Sequence, residues 1–203
     1  MAAIDRHPVD DFYEWLAPRL DDVFKDRVMP IEIGHRLNAI SPDIRWEAGP
    51  HDDGQSFFAF SPNNRLKLLA LTTELAARAP TVPGWVFLPA KPRKRWHSRC
   101  IALQAGDGTE RRFEMDDWLY SLTSFKGGEF FDVNLVPQGA TATGDELEQV
   151  AHMLVEFELG ERIFLEFVDR VNIIPRSALE HAGNRIAQLH DHLLSEIAKH
   201  SRH

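Results

Sequence analysis

Apolar positions along the chain recur at two periods, and the switches between those periods predict its elements. From residue 10 to 25, Phe12, Trp15, Leu16, Leu20, Val23 and Phe24 share one face of a helix, with Asp10 or Asp11 as its cap. Pro18 must kink or divide that helix, because proline removes a ladder hydrogen bond and crowds the preceding turn. Ile33, Leu37 and Ile40 continue at helical spacing behind Pro30, a residue suited to a first turn. Strand-like runs then take over. Residues 44–48 and 56–60 flank a cluster that runs from Gly49 to Gly54, a hairpin signal. Ser61 and Pro62 offer a cap and a first helical position to a helix that carries Leu66, Leu69, Leu71 and Leu75 to residue 78, and Trp85, Val86 and Phe87 read as a strand over 84–88.

The second half repeats this grammar. Residues 100–105 and 111–115 flank Gly106 and Gly108 as a hairpin. Residues 116–124 predict a short helix with Trp118, Leu119 and Leu122 on its buried side, and 130–136 a strand. The clearest boundaries lie between 143 and 175. Thr143 and Glu146 form a capping-box pattern, and Leu147, Val150, Ala151, Leu154 and Val155 make one helical face. Gly160 is placed to end that helix, and 163–168 predicts a strand. Beyond Pro175, the spacing of Leu179, Ala182, Ile186, Leu189, Leu193 and Ile197 predicts an amphipathic helix over 177–199 that docks on a sheet. The expected class is α+β, with mixed or antiparallel strands, an N-terminal helix and a C-terminal helix. A single domain over 1–203 would contain two strand-strand-helix-strand halves, about 28–90 and 98–175.

Composition narrows the function classes. With 43% apolar and 27% charged residues among 203, the chain can bury a proper core, and disorder is excluded as its organising state. Cys100 is the only cysteine, so no disulfide forms within the chain and a cytoplasmic setting is expected. No segment approaches the roughly 20 apolar residues that span a bilayer, and residues 1–8 lack an export-signal pattern, so no membrane partner is expected. The net charge of −8 is unevenly spread: residues 1–100 carry 14 Lys and Arg against 13 Asp and Glu, and residues 101–203 carry 9 against 18. An acidic second half disfavours general nucleic-acid affinity and suits a basic protein partner.

Two local clusters carry candidate chemistry. Lys91, Arg93, Lys94, Arg95 and Arg99 enclose Trp96 and His97, a run in which cations can grip phosphates while the indole stacks on a base. The same run is better suited to a solvated charged loop that pairs with the acidic half of its own chain, because one basic 9-mer in an acidic protein is a weak nucleic-acid signal. Asp116 and Asp117, near Glu114, offer carboxylates for acid-base work or a cation, and with His97 would define an alternative, hydrolase-type or small-ligand site. Adjacent residues diverge, however, and an Asp-Asp pair before Trp118 also suits a helix start. The ten histidines lack metal-ligand spacing: His190 and His192 point apart on a helix. Cys100 follows cations that would lower its pKa but opens an apolar strand that would bury it. No phosphate-binding glycine loop or nucleophile elbow is present, so the sequence assigns no catalytic residue, cofactor or metal.

Short stretches carry a resemblance. Ile44-Arg45-Trp46-Glu47, Phe57-Phe58-Ala59-Phe60-Ser61, the Ala79-Pro80 pair before Gly84-Trp85, and Leu159-Gly160-Glu161 are similar to features of a group of uncharacterised small bacterial cytoplasmic proteins, over about 40–175. The resemblance implies a bacterial cytoplasmic protein and carries over no activity or site residue. The expectation is a non-enzymatic interaction protein, adaptor-like or immunity-like, that uses an acidic surface. Nucleic-acid binding through 91–99 stands as a further alternative.

Overall fold

In the computed structural model, residues 7–51, 54–104, 108–139, 144–179 and 183–200 are described. They form an α+β structure whose chain divides into two compact units, Met1–Pro92 and Arg93–His203.

The first unit opens with α1 (Pro8–Leu16), capped by the His7 imidazole, which accepts from the Val9 amide. Pro18 divides the predicted helix as expected: the chain tightens into a 3₁₀ segment at Ala17–Asp22. The cap differs from expectation because Pro8 at the first helical position moves the start three residues upstream. Phe24 also departs from the predicted buried face: it is 58% exposed and stacks on Trp85. Then follow α2 (Met29–Ile40), the hairpin β1 (Arg45–Pro50) and β2 (Ser56–Ser61), α3 (Leu69–Arg78) and β3 (Trp85–Leu88). Ser61 does not cap α3. It is the last residue of β2, pairs with Arg45 and is fully buried. The sheet order is β1-β2-β3, with β2 antiparallel to β1 and parallel to β3. Phe12, Phe58, Phe60, Leu37 and Leu75 form its core, and Trp46 lies flat on Phe58 at 5.4 Å.

The second unit contains the hairpin β4 (Cys100–Gln104) and β5 (Glu110–Glu114), then β6 (Leu119–Phe125), β7 (Phe130–Val136), α4 (Asp145–Leu159), α5 (Glu161–Phe167), β8 (Val168–Ile173), β9 (Asn184–Arg185) and α6 (Leu189–His200). Its larger sheet runs β8-β7-β6-β9, with β6 antiparallel to β7 and β7 parallel to β8. A strand-strand-helix-strand order with that pairing thus occurs in both units, but in the second it is built on β6 and β7, and β4-β5 is a separate pair.

Three sequence expectations are corrected here. Residues 119–125 are a strand, because Tyr120 faces the core while Ser121 and Thr123 face away, a period of two. Residues 161–167 are helical: Arg162 and Glu166 pair one turn apart at 3.2 Å, and Phe164 packs edge-on against His152. Gly160 still ends α4, at φ 81° and ψ 148°, a conformation open essentially to glycine alone, but it redirects the chain into α5 and not into a strand. The C-terminal helix begins at Leu189, since Asn184 and Arg185 pair with Tyr120 and Leu119. Its predicted residues Leu189 and Leu193 do enter the core, beside Tyr120, Val133, Leu154 and Ile186. Thr143, Gly106 and Ala182 lie outside the described residues, so the predicted capping box and the tip of the β4-β5 hairpin do too.

Candidate functional site

From Arg93 to Arg99 the basic run lies as a strap on the end of α4. The Lys94 amide donates to the Phe157 carbonyl at 2.8 Å, its ammonium sits 3.6 Å over the Phe157 ring, and the Trp96 indole packs on the same ring. Arg99 Nε lies 2.7 Å from Glu158 Oε1, and Arg93 Nη2 lies 3.7 Å from Oε2 of the same carboxylate. Glu158 is fully buried, so this carboxylate depends on its arginines. The arrangement has an electrostatic cause: the last turn of α4 holds no cation of its own, and carbonyls and acids accumulate there. Lys91 and Arg95 carry interactions as well, and His97 is exposed.

Arg99 also reaches Asp116, with Nη1 3.1 Å from Oδ1, while the Ser98 hydroxyl donates to Oδ2 at 3.0 Å. Burial works against the charge of Asp116, but the bonds from Arg99 and Ser98 outweigh it and hold the carboxyl below its usual range. Burial likewise opposes the Arg99 charge, yet Glu158 and Asp116 together raise its pKa. Asp116 and Asp117 diverge as adjacent residues should, Asp117 standing 82% exposed and 4.0 Å from Arg185. Both nevertheless line one cleft of about 470 Å³, with Glu114, Arg112, Trp118 and Gln138. Arg112 is occupied by Glu110 at 2.8 Å. His97 is not among the residues that line this cleft. Cys100 pairs with Glu114 at the end of the β4-β5 ladder, and its thiol is pushed up, first by burial and then by Glu114, away from nucleophilic character.

A second cleft, about 390 Å³, is lined by Tyr120, Asn184, Ala187, Gln188, Asp191 and His192. The Tyr120 hydroxyl and His192 Nδ1 are 2.9 Å apart, and His192 Nε2 is 3.5 Å from Glu196 Oε1. The sequence pattern does not reveal this group, because it predicts a helix across Tyr120 and the spacing of His192 speaks only to metal ligation. The one available signal was the apolar stripe that binds α6 to the sheet. His190 turns instead to Asp191, at 2.8 Å. Among the described residues, no group of three or more His, Cys, Asp or Glu side chains is arranged to hold a metal ion, and no helix is long and apolar enough to cross a membrane.

No protein-family model, curated protein or solved structure matches the chain.

Proposed function

We propose that the chain is a non-enzymatic interaction protein, adaptor-like or immunity-like and cytoplasmic, which holds a lysine- or arginine-rich segment of a protein partner at the acid-rimmed cleft of its second unit. The observation that carries this reading is the meeting of Glu114, Asp116 and Asp117 on one cleft of about 470 Å³. Its electrostatics agree: Arg99 keeps Asp116 ionised, and Arg112 is occupied by Glu110. Acidic groups around a concave surface steer cationic partners and reject anionic ones. The strap cations, turned onto Glu158 and Phe157, fit less well with a phosphate-binding face.

The test is the fluorescence anisotropy of labelled Lys/Arg-rich, Glu-rich and single-stranded DNA probes with the full chain at several salt concentrations. The basic peptide is expected to bind, and to release as salt screens the rim. Replacing Glu114 by Gln together with Asp117 by Asn should weaken that binding about tenfold, about 1.4 kcal/mol. Absence of peptide binding at low salt, undiminished binding by the double variant, or tighter binding of the DNA overturns the reading.

A further inference from the structure

We propose that the cleft beside Tyr120 is a binding site for a primary ammonium group, carried either by a small amine or by a lysine side chain. This inference does not rest on the acid-rimmed cleft above, and it uses none of that cleft's residues. It begins with a hydrogen-bond direction. His192 Nε2 faces the Glu196 carboxylate at 3.5 Å, an acceptor only, so in the neutral ring Nε2 carries the proton and Nδ1 carries the lone pair. In that tautomer the Tyr120 hydroxyl, 2.9 Å from Nδ1, donates to it. With its proton committed, the phenol oxygen offers only lone pairs to anything that enters. Burial and the charge of Asp191 both keep the phenol protonated, so it adds no negative charge of its own to the cleft.

The other polar lining groups complete an acceptor set. Asp191 contributes a carboxylate that the His190 hydrogen bond holds below its ordinary range, against a smaller effect of burial. Asn184 and Gln188 line the cleft with amides, each able to present its carbonyl oxygen, and Ala187 is small enough to leave room for a short alkyl chain. An ammonium has three donors and no acceptor. Carboxylate, phenol oxygen and amide carbonyl match it one for one. Among the described residues that line the cleft there is no Lys or Arg, and Asp191 supplies its carboxylate; Arg93, the guanidinium that acts on that carboxylate, lies outside the lining. The full charge of Asp191 exceeds the partial positive charge of roughly half a unit at the start of α6, which would otherwise favour an anion. The volume of about 390 Å³ admits an amine or one side chain with its stem.

The experiment is an amide-resolved NMR titration of the full chain at pH 7 with n-butylammonium, Nα-acetyl-lysine methylamide and, as a neutral isostere, 1-butanol. Saturable shifts confined to residues around 120 and 184–192 are expected for at least one ammonium probe and not for the alcohol. Equal binding of both ammonium probes identifies a free amine as sufficient; binding of the lysine derivative alone identifies a protein side chain as the source. Asp191→Asn should weaken binding about tenfold, and Tyr120→Phe should also weaken it. Asp191 is 85% exposed, so its variant is expected to fold, and circular dichroism on both variants verifies this. Should Tyr120→Phe lose its fold, Asp191→Asn alone decides. Butanol saturating the same shifts with the same affinity, no saturable shifts with either ammonium, or unchanged affinity in Asp191→Asn overturns the assignment.

Discussion

Arg99 and Glu158 are separated by 59 residues in sequence and by 2.7 Å between Nε and Oε1. The carboxylate has no solvent exposure and the guanidinium side chain only 17%, so each charge depends on the other. Truncating Arg99 leaves the buried carboxylate with Arg93, 3.7 Å away, as its one remaining ion-pair partner among the described residues, and losing a member of such a buried pair costs up to about 3–5 kcal/mol. Arg99→Ala is therefore expected to lower the denaturant midpoint of the second unit severely. Adding Glu158→Leu to that variant should recover much of the loss, because a well-packed apolar pair avoids desolvating any charge. Urea unfolding of the single and double variants checks both expectations. A single variant within about 0.5 kcal/mol of the parent would show that Glu158 does not rely on this arginine.

Asp116 makes the acid limb of stability depend on the same arginine. Its carboxyl titrates below the usual range when folded, so the unfolded chain binds the proton more readily. The stabilisation is therefore present above the unfolded carboxylate pKa of about 4 and disappears as pH falls through the folded value. Asp116→Asn removes that dependence. Stability measured by urea unfolding from pH 6 downward should fall less steeply in the variant than in the parent; parallel curves would refute the link. Asp116 is 49% exposed, so solvent screening keeps the effect small.

Where the pattern along the chain agreed with its final environment, the elements were readable in advance. The β1-β2 hairpin is built from apolar runs with Gly54 in its connection, and Val150, Ala151, Leu154 and Val155 of α4 repeat at helical spacing on a buried face. The apolar run Ile163-Phe164-Leu165 was not readable, because a short run suits a buried strand or a buried helix equally. What decides it is tertiary: the contact of Phe164 with His152. The candidate carboxylates were visible because Asp116 and Asp117 are neighbours in the chain. The groups that use or complement them were not, since no local spacing announces that Arg99 meets Glu158 or that Tyr120 meets His192, 72 residues away.

Gly160 joins two helices at φ 81° and ψ 148°, outside the regions open to residues with a β-carbon. Replacing it by Ala should cost about 1–3 kcal/mol of stability. The penalty comes from backbone strain, so Gly160→Asn should recover little of it: asparagine tolerates the left-handed helical region, and ψ 148° lies far from that region. Thermal unfolding of the two variants is the check. Parent-like midpoints for both would mean that the chain can turn from α4 into α5 by another route.

The thiol of Cys100 shifts in the direction opposite to that which the cations before it in the sequence suggest. Burial raises its pKa first, Glu114 raises it further, and Arg112 only partly offsets them. A thiol with a raised pKa holds less thiolate at a given pH, and the thiolate is the species that reacts. Alkylation of the folded chain by iodoacetamide should thus be slower at pH 8 than in the urea-unfolded chain, and should keep accelerating above the pH at which an ordinary thiol has levelled off. Glu114→Gln removes the anionic contribution without removing the strand contacts of the backbone, so it should move the rate profile to lower pH. A profile that stays where it was would leave burial alone as the cause. A folded-state rate equal to or above that of the unfolded chain would make Cys100 a reactive group, which its surroundings on β4 and β5 do not favour.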